Sequence, residues 1–461
     1  MLEPQQTISI VGAGLAGSEA ALQLAEMGHR VQLFEMRPKK MTPAHKTGSY
    51  AELVCSNSFG SVAHHAAPGQ LKWEAEKLGS QVLQAAGIHR VPAGQALGID
   101  REKFSEHLTQ QLKQNPNIEI QEEEITNLDD LPRPAIIATG PLTSEPLAQS
   151  LLEHFGDRFL YFFDAIAPII EADSINMDVA WIGDRYGKGT GDYINCPLNK
   201  EQYENLIEEI KNADTVEAKD FEKDTPFFEG CMPIEEMVCR GDQTPRFGPL
   251  SPKGLTHPVS GEKFYAIVQL RKENRAGTSY NMVGFQTKMK YPEQKRIFSM
   301  IPGLEEAHFL KLGSIHRNMF INSTKKLNSN LSSQNDPSLF FAGQITGVEG
   351  YFESTCIGMM VARFVDDFVN HNTKLPPPRE TALGSLLYAL TGEIKDDFQP
   401  TNINFGLFPP LDLPKKVGKR QKRDLVVERA RQSFQSWILE NPAHLESKKF
   451  IEKMAEDLKS I

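Results

Sequence analysis

The sequence is poor in cysteine and has no long apolar run. Its five cysteines are scattered singly through 461 residues, and no two form a Cys-x-x-Cys pair. This spacing argues against a disulfide framework and against a zinc module. No uncharged stretch is long enough to span a bilayer, and no basic segment precedes the first apolar stretch as in a secretory signal. These absences predict a cytoplasmic protein with no metal site, in which the thiols either pack or do chemistry.

Internal repeats and low-complexity tracts are also absent. The length predicts two or three domains, and 40% hydrophobic with 24% charged residues is typical of a folded globular protein. Fifty basic and 60 acidic residues give a net charge of −10. Spread evenly, that charge would make a poor nucleic-acid binder.

The charge is not spread evenly. Residues 415–431 hold eight basic and two acidic residues, and residues 240–290 hold nine basic and three acidic, so each segment carries +6 on a −22 background. A solvated helix face is the usual role of a single charge run. Two such runs in one acidic chain favour a polyanion-binding face. The residues predicted to contact the polyanion are Lys419, Arg420, Lys422 and Arg423.

The first forty residues carry a dinucleotide-binding pattern. A β-branched run over residues 7–12 leads into Gly12-Ala-Gly14-Leu-Ala-Gly17, a helical run follows, and a second strand ends at Glu35. Glycines permit a tight turn close to a pyrophosphate, the helix N-terminus attracts its charge, and the acid accepts hydrogen bonds from a ribose. The pattern does not distinguish FAD from NAD.

Two further strand-to-turn segments bear on that choice. Residues 134–141 read as a buried strand that ends in Thr139-Gly140, similar to the Ala-Thr-Gly strand of flavoprotein disulfide reductases. An ordinary core strand with a turn is the alternative. Residues 338–351 form a second such segment, in which Gly343-Gln344 stands where many flavoproteins carry Gly-Asp. Its predicted cofactor contacts are Gly343, Gln344, Gly347 and Gly350.

The cofactor segments lie at both ends of the chain, so the middle must be an insertion. We predict an α/β fold with a Rossmann-type, glutathione-reductase-like FAD-binding domain interrupted by a smaller mixed α/β domain. The predicted boundaries are 1–150 and 331–461 for the FAD-binding domain, with a helical basic C-terminal tail, and 151–330 for the insertion on the substrate side.

Two cysteines stand in unusual surroundings. Cys55 follows the second strand in a loop of small polar residues, and Cys231 lies between a glycine and Pro-Ile-Glu-Glu, which reads as a helix start. A thiol at a helix N-terminus has a lowered pKa. Cys196 and Cys356 read as packing residues. One reactive thiol on each predicted domain suggests a cleft where flavin and substrate meet.

Several motifs together resemble the folate- and FAD-dependent tRNA uracil-5-methyltransferases over residues 7–410. They include the glycine loop, Glu52-Leu-Val-Cys-Ser-Asn-Ser, Phe228-Glu-Gly-Cys-Met-Pro-Ile-Glu, Arg246-Phe-Gly-Pro-Leu and Phe341-Ala-Gly-Gln-Ile-Thr-Gly-Val-Glu-Gly-Tyr. The resemblance implies formation of 5-methyluridine in the T loop, at uridine-54 of the tRNA T arm. It also implies 5,10-methylenetetrahydrofolate as carbon donor and FAD reduced by NADH or NADPH.

The same resemblance suggests roles for side chains. Cys231 is expected to add to C6 of uracil, and Cys55 is expected to handle the C5 proton or to protect the flavin intermediate, although the two roles could be exchanged. The candidates for the flavin–folate stack are Glu349, Tyr351, His316 and Arg317. Two alternatives stay open, namely a flavin-dependent oxidoreductase of small molecules or thiols, and a tRNA-binding scaffold that holds FAD without turnover.

Overall fold

The computed structural model describes residues 6–156, 159–187, 190–216, 232–372, 376–396, 398–412 and 417–441. In these ranges the strands are β1 (Thr7–Val11), β2 (Arg30–Phe34), β3 (Ser58–Ser61), β4 (Arg90–Val91), β5 (Ala96–Ile99), β6 (Ile118–Gln121), β7 (Ala135–Ile137), β8 (Leu160–Ile166), β9 (Ile169–Glu171), β10 (Trp181–Ile182), β11 (Tyr193–Leu198), β12 (Ala266–Lys272), β13 (Ser279–Met282), β14 (Phe309–Lys311), β15 (Ser314–Phe320) and β16 (Leu339–Phe341).

The α-helices of the same ranges are α1 (Leu15–Glu26), α2 (Ala67–Lys77), α3 (Gln81–Ile88), α4 (Arg101–Gln114), α5 (Glu145–Phe155), α6 (Lys200–Asn212), α7 (Ile234–Cys239), α8 (Thr244–Phe247), α9 (Tyr291–Phe298), α10 (Ser323–Lys326), α11 (Tyr351–Val369), α12 (Ala382–Thr391) and α13 (Lys419–Glu440). In the part of the chain that the structure describes, no helix is both long and apolar enough to cross a membrane.

A parallel sheet with strand order β16-β7-β1-β2-β6 forms the first layer. Strands β7 and β16 are wholly buried and β1 is nearly so, because helices cover them, whereas Glu119 on the edge strand β6 is exposed. Helices α1 and α11 pack so closely that a Cβ on Gly358 would lie 2.2 Å from the carbonyl oxygen of Ala16. The first and last predicted cofactor segments therefore meet on one sheet.

An antiparallel sheet with strand order β10-β11-β12-β13-β9-β14 forms a second body. One face packs on helices α6, α7 and α9 around an apolar core that includes Val268, Leu270 and Phe298. The chain enters this body through β8 and returns through β15, and these two strands pair antiparallel with each other. The predicted boundaries at 151 and 330 stay a prediction.

Helices α2, α12 and α13 pack together beside the parallel sheet. Trp73 on α2 contacts Phe434 on α13 with ring centroids 5.8 Å apart. The buried carboxylate of Glu74 accepts the backbone N–H groups of Ala382 (2.7 Å) and Leu383 (2.8 Å) at the start of α12. The helical tail predicted at the C-terminus is present as α13 up to Glu440, and residues 442–461 lie outside the described residues.

Candidate active site

A cavity runs along the carboxyl ends of the parallel strands. Strands β1, β7 and β16 each end at its wall, which is where open α/β sheets bind their ligands. The predicted residues that line it are Gly12, Gly14, Glu35, Thr139, Gly140, Gly343, Gln344 and Tyr351. The structure thus brings all three predicted cofactor segments to one cavity.

The glycine loop leaves the start of α1 open toward this cavity. Gly12 has φ +101°, and a Cβ there would lie 2.6 Å from the Ala138 carbonyl oxygen. Gly14 is the N-cap of α1, no side chain caps this end, and the first turn holds no acid. The free backbone N–H groups and the helix dipole suit a pyrophosphate. The residues present therefore fit the phosphate groups of a dinucleotide.

Glu35 lies in the wall as a buried, ionised acid. Its carboxylate accepts the Ala13 N–H at 2.8 Å, the Arg37 N–H at 3.1 Å and Nε of Arg37 at 3.0 Å. Burial acts to raise the pKa of Glu35, but the Arg37 guanidinium outweighs burial, so the pKa is lowered. Sequence reasoning missed Arg37, although it stands only two residues beyond the predicted ribose ligand.

Three predicted cofactor glycines do not line the cavity. A Cβ on Gly17 would lie 1.9 Å from the Gly12 carbonyl oxygen, so this glycine lets α1 approach the loop. Gly347 and Gly350 lie in the turn before α11, at φ +82° and +107°. These residues shape the backbone around the cavity, and their contact with a cofactor stays a prediction.

Cys55 lies at the edge of the cavity and between the two sheets. Its backbone N–H donates to the hydroxyl of Tyr351 at 2.6 Å, and Tyr351 lines the cavity. Its Sγ lies 3.9 Å from the carbonyl oxygen of Ala165 on β8. The thiol is half-buried. Cys55 therefore connects the cofactor cavity with the strand that leads to the second body.

Arg101, at the start of α4, holds the backbone of this loop. Its Nη1 donates to the Leu53 carbonyl at 2.8 Å and its Nη2 to the Cys55 carbonyl at 3.0 Å. Its Nε pairs with the carboxylate of Glu273, which is only 5% exposed. Burial acts to lower the pKa of Arg101, but Glu273 outweighs burial and the pKa is raised. Arg101 therefore stays charged next to Cys55.

Two cations from the second body hold the same loop. Nζ of Lys311 donates to the Val54 carbonyl at 3.0 Å, and Nε of Arg271 donates to the Asn57 side chain at 3.1 Å. Burial, together with the charge of Arg101, lowers the pKa of Lys311 to about 8. Together with Arg101, these two side chains place positive charge around the backbone of the Cys55 loop.

Strand register explains why both cations reach the loop. The register pairs Arg271 with Asn281, Asn281 with Ile169, and Ile169 with Lys311 across β12, β13, β9 and β14. Directly opposed residues of antiparallel strands point to the same face. This row therefore lies on one face of the sheet, opposite the apolar core, and its two cations contact the Cys55 loop.

The other predicted substrate-side residues have different outcomes. Cys231 and the side chains of His316 and Arg317 lie outside the described residues, although the latter two positions belong to β15. Glu349 is buried, and its carboxylate accepts a hydrogen bond from the amide of Gln344. The structure thus brings Cys55 and Tyr351 together, and the roles predicted for the other four stay predictions.

The two basic segments differ in their surroundings. The predicted polyanion contacts lie on the first two turns of α13, where Arg420, Lys422 and Arg423 are exposed and the side chain of Lys419 is outside the described set. Cations at a helix N-terminus oppose the helix dipole, so they do not serve helix stability.

In the segment 240–290 the charge is divided. Arg271 is half-buried, Lys288 pairs with Glu236, and Lys290 lies 3.5 Å from Asp214. These three of the nine basic residues are therefore partly neutralised or covered, and a polyanion-binding role for this segment stays a prediction.

Comparison with known proteins places this chain in a family. The family model described as glucose inhibited division protein A matches residues 7–373. The protein named "Methylenetetrahydrofolate--tRNA-(uracil-5-)-methyltransferase TrmFO" of Bdellovibrio bacteriovorus is 63% identical over 94% of this chain and 98% of its own length. The protein of the same name from Aquifex aeolicus is 49% identical over 95% of this chain and 97% of its own length.

Among solved structures, GidA of Aquifex aeolicus superposes with a TM-score of 0.68 at 14% identity, over 100% of this chain and 77% of that one. Together with the parallel sheet, this likeness confirms the predicted Rossmann-type FAD-binding fold. The chain belongs to the glucose inhibited division protein A family and, within it, to the methylenetetrahydrofolate--tRNA-(uracil-5-)-methyltransferases named TrmFO.

Proposed function

We propose that this chain methylates C5 of a uracil in tRNA, with 5,10-methylenetetrahydrofolate as the carbon donor, FAD as the cofactor and NADH or NADPH as the reductant. The observation that carries the proposal is the position of Cys55. The loop of this cysteine is held by cations at the edge of a dinucleotide cavity, in a chain 63% identical to a protein with that name. The proposed substrate is uridine-54 of the T arm, and the proposed location is the cytoplasm.

The cavity walls suggest how FAD would lie. The open N-terminus of α1 after Gly14 would hold the pyrophosphate, and Glu35 marks the ribose end. Gly343, Gln344 and Tyr351 would then flank the flavin end, next to Cys55. Once reduced by NADH or NADPH, bound FAD would supply the electrons that convert a transferred methylene to a methyl group.

The thiols would supply the rest of the chemistry. A thiolate that adds to C6 of uracil makes C5 nucleophilic, and the negative charge then lies on the adjacent carbonyl oxygen. After C5 has bonded to the donor's methylene carbon, a base removes the C5 proton and the bond between that carbon and the donor's nitrogen breaks, so the donor leaves. Two electrons and a proton then convert the exocyclic methylene group to a methyl group, and the C6–S bond breaks to release the thiolate. We assign addition to Cys231 and proton transfer to Cys55, with the reverse order open.

The cations around the Cys55 loop support either role for this thiol. Arg101, Arg271 and Lys311 come from three separate elements, and their fixed positive charges stabilise an anion without reorganisation. A thiol that must lose or accept a proton during turnover needs such an environment.

Methyl transfer to tRNA tests the proposal. The enzyme is incubated with tRNA that lacks T-loop methylation, labelled methylenetetrahydrofolate and NADPH. We expect label at C5 of uracil, and Cys231→Ala should abolish transfer while the yellow flavin stays bound.

Two other results would contradict the proposal. A gain of two free thiols on reduction without label in uracil would identify a thiol-cycling oxidoreductase. Flavin that stays oxidised under anaerobic NADPH would identify a scaffold.

A further inference from the structure

A second cleft lies beside the loop 42–46, outside the cofactor cavity. It lies between residues 43–46 of this loop and residues 309–312 with α9 of the second body. The residues that line it are Pro43, Ala44, Lys46, Tyr291, Lys295, Phe309, Leu310, Lys311, Leu312 and Ser314. We call it the lysine cleft.

The lysine cleft is positively charged. Its lining holds three lysines, Lys46, Lys295 and Lys311, and no acidic residue. Within the described part of the chain, Lys46 and Lys295 form no ion pair with a carboxylate. The nearby acid Glu52 accepts the backbone N–H groups of Lys46 and Thr47, so hydrogen bonds already occupy its carboxylate. The cleft therefore has charge available for an anion.

The lysine cleft also exposes apolar surface. Tyr291 is 58% exposed and Leu310 is 48% exposed, and both line the cleft together with the lysines. Large side chains of this kind beside unpaired cations suit a ligand with a flat apolar part and several carboxylates. Phosphate groups of a nucleic acid would use the lysines but leave the apolar side chains without a partner.

The loop 42–46 separates the lysine cleft from the cofactor cavity. Thr42 and His45 line the cavity, whereas Pro43, Ala44 and Lys46 line the cleft. The hydroxyl of Thr42 accepts the backbone N–H groups of Ala44 (3.3 Å) and His45 (3.2 Å), which fixes this loop as a turn. A ligand whose reacting end lies at the flavin end of the cavity would have to pass only the loop 42–46 to reach the lysines of the cleft.

We propose that the lysine cleft binds the p-aminobenzoyl and γ-linked polyglutamate tail of the folate donor. This inference rests on the proposed function. The benzoyl ring would pack on Tyr291 and Leu310, and the carboxylates would pair with Lys46 and Lys295. Lys311 lines the cleft and donates to the carbonyl of Val54 in the cavity wall. It therefore lies where the tail would pass from the cavity into the cleft.

The test compares the mono- and pentaglutamyl forms of methylenetetrahydrofolate as donors for the flavin-containing enzyme. Exposed ion pairs are individually weak, so two of them predict a KM roughly tenfold lower for the pentaglutamyl donor. The double variant Lys46→Gln with Lys295→Gln should remove most of that difference and leave kcat and the KM for tRNA unchanged. Lys200→Gln is the matched control, because Lys200 is an exposed lysine of the second body that pairs with Glu204 away from the cleft.

Equal KM values for the two donors in the wild-type enzyme would overturn the inference and leave the proposed function intact. An increase in the KM for tRNA in the double variant, with the donor preference retained, would assign the cleft to nucleic acid instead. Equilibrium dialysis with mono- and pentaglutamyl tetrahydrofolate measures the same preference without turnover. A preference in dialysis without any transfer to tRNA would support the cleft and refute the proposed function.

Discussion

Replacing Arg101 with methionine tests whether its buried ion pair holds the Cys55 loop. The change removes the donors to the Leu53 and Cys55 carbonyls and the hydrogen-bonded ion-pair partner of Glu273, which keeps only the electrostatic interaction with Arg271 and Lys311. Loss of one partner of a buried pair costs about 3–5 kcal/mol. That is a large part of the ~5–15 kcal/mol by which a folded domain is stable. We therefore expect a much lower urea midpoint for the flavin-containing variant.

Arg133 provides a matched control. It also pairs with a carboxylate, that of Asp336 at 2.9 Å, and donates to two backbone carbonyls, those of Leu128 and Leu131. Asp336 is 29% exposed, against 5% for Glu273, so water can replace the lost cation. Arg133→Met should therefore cost about 1 kcal/mol or less.

The double variant Arg101→Met with Glu273→Met separates stability from activity. Replacing a buried ion pair by apolar side chains is often neutral or stabilising, so its urea midpoint should return toward wild type. Methyl transfer should be low in both the single variant Arg101→Met and the double variant, because in both the Leu53 and Cys55 carbonyls lack their hydrogen-bond donor. Equal destabilisation by Arg101→Met and Arg133→Met, or full activity in the double variant, would refute the reasoning.

Three further predictions concern the cofactor loop, a buried acid and the basic helix. Gly17→Ala should weaken FAD retention on gel filtration, because the new Cβ would lie 1.9 Å from a carbonyl oxygen of the glycine loop and displace that loop. Retention equal to that of the wild type would show that the loop tolerates a side chain at this position. Burial raises the pKa of Glu74 to about 7 from 4.5, so its contribution to stability is fully present below pH 4.5 and is lost as pH rises through 7. The loss amounts to about 3 kcal/mol. The free energy of unfolding of the Glu74→Gln variant, measured by urea titration, should therefore change less between pH 5 and 7.5 than that of the wild type. Exchanging Arg420, Lys422 and Arg423 for glutamine should reduce the slope of log Kd for tRNA against log salt by up to about three; an unchanged slope would remove α13 from the interface.

The cofactor half of the molecule could be predicted from the sequence because its signals are local. Gly12, Gly14 and Glu35 lie within one strand-helix-strand unit, and the spacing of that unit is itself the geometry of the site. The Thr139 and Gly343 turns could be assigned for the same reason, since parallel strands end at one edge of a sheet.

The surroundings of Cys55 could not be predicted in this way. Arg101, Arg271 and Lys311 are separated by up to 210 positions in the chain and meet only through strand register and the packing of the two sheets. Composition counted Arg271 toward a basic surface, yet the structure holds it half-buried beside Asn57. A charge count contains no information on burial, so it could not separate a half-buried cation from an exposed one.

Release of tritium from C5 of uracil tests the central claim most directly. The enzyme is given tRNA with [5-³H]uridine together with carbon-labelled methylenetetrahydrofolate and NADPH. Formation of 5-methyluridine requires that each methylated base lose its C5 hydrogen, so we predict one tritium released for each labelled carbon that enters the tRNA. Oxidation of NADPH with neither tritium release nor carbon incorporation would contradict the assignment as a tRNA methyltransferase.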